Sequence, residues 1–79
     1  MVVRKKNIIG QRVQKSRFRK NITQDELSAK LARIGVQIDR AGISKIENGS
    51  RCVYDFELKA FAKVMETSTE WLIGNSKQG

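Results

Sequence analysis

Between Thr23 and Gly49 the sequence marks both ends of two helices, and the short connection between them leaves few folds open. Thr23-Gln24-Asp25-Glu26 is a capping box: the Thr23 hydroxyl accepts from the Glu26 backbone N–H while the Glu26 side chain reaches back to Thr23. Asp25 and Glu26 also put negative charge in the first turn, where the helix dipole favours it. Leu27, Leu31 and Ile34 then fall at i, i+4 and i+7, and Gly35 suits the left-handed residue that follows a helix. Asp39 is a good N-cap for the next helix, predicted over Arg40 to Asn48 and closed by Gly49. Only Gly35-Val36-Gln37-Ile38 separates the two, a connection too short for anything but a tight turn.

The remainder is helical as well. There is no proline, apolar residues recur at helical spacing, and no stretch alternates as a strand does. A first helix is expected from Asn7 or Ile8 to Arg19, with Ile9, Val13 and Phe18 on its inner edge and Asn21 stopping it in a left-handed conformation. Asp55 can cap a fourth helix reaching about Glu66, with Leu58, Phe61, Ala62 and Met65 on one face. Thr67-Ser68-Thr69-Glu70 is a second capping box, opening a short last helix with Trp71, Leu72 and Ile73 before Gly74. The expected fold is all-α with five helices in one domain at residues 8–75, between a basic arm at 1–7 and a tail at 76–79. With 79 residues the core is thin, because a chain of this size buries only about 60% of the surface it exposes when unfolded.

Charge points to a polyanionic partner. Sixteen Lys and Arg against eight Asp and Glu leave a net charge of +8, and a compact basic chain attracts nucleic acid or an acidic surface. The excess is not spread evenly. Arg4, Lys5, Lys6, Arg12, Lys15, Arg17, Arg19 and Lys20 fall in the first twenty residues with no acid among them, whereas residues 52–79 are near balance. The third helix is the odd one: Ile43 and Ile46 make a narrow apolar stripe and leave Arg40, Ala41, Ser44, Lys45 and Asn48 facing outward. A helix so polar is poor as a core element and well suited to lie in a DNA groove.

Other chemistries lack their residues. No histidine and one cysteine, Cys52, leave no set for a structural zinc site and no intrachain disulfide, so no metal or cofactor is expected. No glycine-rich phosphate loop or nucleophile motif points to an enzyme. No apolar run approaches a membrane span, and a reduced thiol suits a cytoplasmic protein.

The stretches Thr23-Gln24-Asp25-Glu26-Leu27, Ile43-Ser44-Lys45-Ile46-Glu47-Asn48-Gly49 and Leu58 to Trp71-Leu72-Ile73-Gly74 resemble the repressor/Cro type of helix-turn-helix, the XRE family, across residues 8–75. The resemblance implies a lambda-repressor-like domain with the second and third helices as the helix-turn-helix. By position it implies that Arg40, Ala41, Ser44 and Lys45 face base edges, and that Gln24, Asn48 and Arg51 touch phosphates, Gln24 bracing the third helix as well. It further implies an ion pair between Arg17 and Glu47, and a core place for Trp71. Two departures stand out. Gln24 and Glu47 are some five residues further apart than in the family's compact form, and the extra length is expected at Ala32–Ile38 as about one more turn of the second helix. Gly42 sits inside a helix, where glycine costs about 1 kcal/mol relative to alanine unless the backbone must approach something closely.

The function expected from these readings is sequence-specific binding of double-stranded DNA by a transcription regulator, a repressor acting as a homodimer on a palindromic operator. The self-association surface is expected at Trp71-Leu72-Ile73 and after Gly49. The competing reading is an antitoxin-like module that binds a toxin or another protein and also its own operator. A pure protein-binding module would show a broad exposed apolar patch and a neutral third helix. RNA or membrane-surface binding lacks both stacking aromatics and a helix with a basic and a wide apolar face.

Overall fold

The computed structural model of the chain describes residues 6–74, which form five helices: α1 Gly10–Arg19, α2 Gln24–Arg33, α3 Arg40–Glu47, α4 Asp55–Met65 and α5 Thr69–Leu72. Arg4 and Lys5 of the basic arm and the tail at 76–79 lie outside the described residues. The helices surround one core in which Val13, Leu27, Leu31, Ile43, Ile46, Phe61 and Leu72 are wholly buried and Trp71 and Met65 nearly so.

Local signals start most of these helices. The Thr23 capping box is complete, with the hydroxyl accepting from the Glu26 N–H at 3.0 Å and the Glu26 carboxylate accepting from the Thr23 N–H at 2.8 Å. Asp39 caps α3 by accepting from the Gly42 N–H at 2.8 Å. Asn21, Gly35 and Gly49 all take positive φ, so each of the first three helices ends in a left-handed residue.

Several expectations need correction. Helix α1 begins at Gly10, not at Asn7 or Ile8; Asn7 stays outside it, and its Oδ1 accepts from the Ile9 and Gly10 N–H groups. The inner edge of α1 is Ile9, Val13, Ser16 and Arg17, while Phe18 is 62% exposed. Five residues beyond Val13, Phe18 is rotated about 140° from the stripe, and the buried carboxylate of Glu47 draws Arg17 inward instead. Ile34 is also exposed, because α2 ends at Arg33 and Ile34 is its C-cap. The extra length therefore adds no full turn: of residues 32–38 only Ala32 and Arg33 are helical, and the rest forms the connection. Helix α4 is capped at Tyr54 rather than Asp55, and Glu57 accepts from the Tyr54 N–H at 3.0 Å. Helix α5 is capped by Ser68, whose Oγ accepts from the Trp71 N–H, so the cap lies one residue later than expected and the box of Thr67 with Glu70 does not form.

Two glycines are explained by close approach. A Cβ on Gly10 would stand 2.2 Å from the Ile46 carbonyl oxygen, so the start of α1 lies directly on the backbone of α3. A Cβ on Gly42 would meet Ile38 Cγ2 at 2.9 Å and Asp39 Oδ1 at 3.1 Å. Among the described residues no helix is long and apolar enough to cross a membrane.

Candidate nucleic-acid interface

Helix α3 buries one side and presents the other. Its buried residues are Ile43, Ile46 and Glu47; Arg40, Ala41, Ser44, Lys45 and Asn48 are all exposed. Glu47 organises the inner end. Its Oε2 accepts from Arg17 Nε at 2.8 Å, and its Oε1 accepts from Arg17 Nη2 at 3.0 Å and Gln24 Nε2 at 3.1 Å. One carboxylate thus joins the last turn of α3 to α1 and to the first residue of α2. Arg17 also donates from Nη1 to the Ile22 carbonyl, and its guanidinium carries the ring of Phe18 at 4.7 Å. The hydrogen bonds to Glu47 raise the Arg17 pKa further above its ordinary value, burial opposing them and the Glu47 charge adding to them.

The residues after α3 are braced too. Asn7 Nδ2 donates to the carbonyls of Ile46 and Arg51, and the Lys6 N–H donates to the Gly49 carbonyl. Lys6 and Asn7, expected within a free basic arm, are hydrogen-bonded to the body of the domain. Arg51 Nη1 and Nη2 donate to the two carboxylate oxygens of Glu57 at 3.1 and 3.0 Å. Burial alone would push the Glu57 carboxyl up; the Arg51 hydrogen bonds, the Tyr54 N–H and the Arg51 charge together bring it below its ordinary value. Asn48 Oδ1 accepts from the Ser50 N–H, shaping the turn that leaves α3.

Beside the start of α2 lies an open hollow of about 800 Å³ bordered by Arg17, Phe18, Asn21, Thr23, Gln24 and Arg40. It combines the N-terminus of α2, whose N–H groups favour an anionic oxygen, with the Arg40 cation, and it also carries the carboxylate of Asp25.

The model of the helix-turn-helix family HTH_3 matches residues 15–72 of the chain. The chain belongs to this helix-turn-helix family. Among solved structures it is similar to the P22 c2 repressor protein in complex with synthetic operator 9T, with a TM-score of 0.74 and 20% identity over 89% of this chain and 98% of that one. The fold is therefore the five-helix lambda-repressor-like one, of the XRE type. No curated protein matches the sequence.

Within this helix-turn-helix domain the residues expected at base edges, Arg40, Ala41, Ser44 and Lys45, lie on one exposed surface with Asn48. Gln24 lies at the head of α2 with its amide nitrogen already on Glu47. Arg51 is drawn toward Glu57, its Nη1 also donating to the Cys52 carbonyl, and its Nε lies on the side of Gly42. Reasoning from sequence missed the Arg51–Glu57 pair; Glu57, three residues after Tyr54, signals only its bond to the Tyr54 N–H. The Asn7 clasp had no comparable signal, since its carbonyl partners lie 39 and 44 residues away, and the Phe18 ring meets Arg17 only because Glu47, 30 residues on, turns Arg17 inward.

Proposed function

We propose that this chain binds double-stranded DNA sequence-specifically and regulates transcription, as a repressor, reading the major groove with α3. The observation that carries the reading is the exposed face of α3, polar and basic, on a helix whose other side is locked to α1 and α2. Arg40 and Lys45 are placed to donate to guanine O6 and N7, Ser44 to pair with several base edges, and the Ala41 methyl to pack on a thymine methyl. Gln24, Asn48 and the Nε–H of Arg51 serve phosphates, setting register without reading sequence.

A homodimer on a palindromic operator follows from the same reading, with half-sites about 34–36 Å apart or a multiple of that. The expected contact surface changes, however. Trp71 and Leu72 are buried, whereas Tyr54 and Phe56 are 62% and 56% exposed and stack in parallel, and Tyr54 borders a hollow with the exposed Ile8. Residues after Gly49 remain the candidate contact surface. The same apolar patch is what an antitoxin-like reading would use; Arg40 and Lys45 on α3 favour DNA as the main ligand.

Selection of random duplexes against the pure protein tests both. A recovered palindrome supports the reading. Arg40→Ala or Lys45→Ala should then cost about 1–3 kcal/mol and relax preference at one base pair. The logarithm of affinity should fall with that of salt by about 0.9 per phosphate neutralised. A salt-independent affinity would sink it.

A further inference from the structure

Helix α3 has two flanks, and the phosphate-side hollow described above lies along only one of them. Arg40 borders that hollow, with Gln24. Gly42, about 200° further round the helix, borders a second hollow of about 430 Å³ with Ser28, Gln37, Asp39 and Arg51. An α-helix with its side chains is about 10–12 Å across and the major groove about 12 Å wide. A helix seated in that groove therefore has a wall of phosphates along each flank.

The geometry points to Gln37 as a phosphate-contacting residue on the strand opposite the one that Gln24 faces; this rests on the DNA-binding reading. Gln37 is exposed between Val36 and Ile38, both buried, so the connection aims its amide outward while its neighbours anchor it. The anchoring is on both sides. The Val36 N–H donates to the Leu31 carbonyl at 3.0 Å, and Ser28 Oγ donates to the Ile38 carbonyl at 2.7 Å. A contact made from so fixed a segment requires little further ordering. Gly42 keeps the wall beside it low, since any side chain there would press on Ile38 and Asp39. Asp39 is the one acid in this hollow, and a phosphate would feel it. Its Oδ1 is committed to the Gly42 N–H at the positive end of α3, however, and the Arg51 guanidinium stands nearby. The added length of the connection thus acquires a role: it carries a neutral donor to the second backbone.

The test uses the duplex recovered by selection, with single phosphates on either strand replaced by neutral methylphosphonates. Affinities are measured for the wild type, Gln37→Ala, Gln37→Glu and Gln24→Ala. Gln37→Ala should bind about fivefold more weakly on every operator variant, the loss of one hydrogen bond. Its salt slope should be unchanged because no charge is lost, and Gln37→Glu should be weaker still through like-charge repulsion. One methylphosphonate that weakens the wild type should no longer matter to Gln37→Ala, and it should lie on the strand opposite the one silenced by Gln24→Ala. Wild-type affinity in Gln37→Ala, a loss confined to one base pair, or silencing on the Gln24 strand would each overturn the inference alone. A wild type that prefers no duplex would overturn the proposed function and this with it. Since Gln37 is exposed, thermal melting of the variants should match the wild type.

Discussion

Gly10 shows how a single hydrogen atom in place of a side chain sets the geometry of a binding surface. The first turn of α1 lies so close to the last turn of α3 that a methyl group would overlap the Ile46 carbonyl oxygen. Backbone cannot step aside as a side chain end can. Gly10→Ala should therefore destabilise the domain by about 1–3 kcal/mol or more, despite the better helix propensity of alanine. Urea unfolding measures this directly, and a variant as stable as the wild type would refute the close approach. Phe18 carries a different lesson. It is large and apolar, yet its ring is exposed and covers the guanidinium of Arg17. Helical spacing alone could not tell it from a core residue, because the choice between Arg17 and Phe18 was made by a carboxylate on another helix.

Among the helices, the pairing of Arg17 and Glu47 matters most, since it ties α3 to α1 while Gln24 ties it to α2. Both side chains of the ion pair are largely buried. Removing one partner strands the other charge, so Glu47→Ala should cost about 3–5 kcal/mol. Replacing both, as Arg17→Met with Glu47→Leu, leaves no buried charge and should recover most of that loss. A thermal melt of the three variants checks the order; equal losses in the single and double variants would show that the pair is not desolvated. Capped helix ends were legible in the sequence for α2 and α3, because Thr23 with Glu26 and Asp39 act on N–H groups three residues away. The caps of α4 and α5 were off by one: adjacent Thr67, Ser68 and Thr69 offer the same hydroxyl at α5, and at α4 the Glu57 carboxylate takes the N–H of Tyr54, a residue with no side-chain cap of its own.

Across the whole molecule, acid sensitivity gathers where the segment after α3 meets α4. Glu57 is almost fully buried and held by Arg51 and the Tyr54 N–H, which keep its carboxyl below the ordinary value of 4.5. As pH falls, the unfolded chain takes up this proton first. The stabilisation is thus complete above the ordinary carboxylate range and is lost as pH drops from about 4.5 through the lower folded value. Stability measured against pH should fall in that window, and Glu57→Gln should flatten the fall. Exposed Glu66, lowered by its hydrogen bond to Lys20, contributes a smaller slope of the same sign. A pH profile unchanged in Glu57→Gln would show that the pair does not hold the loop.

The sequence by itself determined the helix count, the start of the two central helices, the polar face of α3 and the basic character of the chain. Each of these depends on residues within a few positions of one another or on composition. Tertiary structure alone decided that Phe18 stays outside the core, that the added length becomes an anchored connection instead of helix, and that Arg51 pairs with Glu57. These outcomes depend on partners brought together only by folding, where desolvation makes an unpaired charge or a blocked backbone too costly to leave in place.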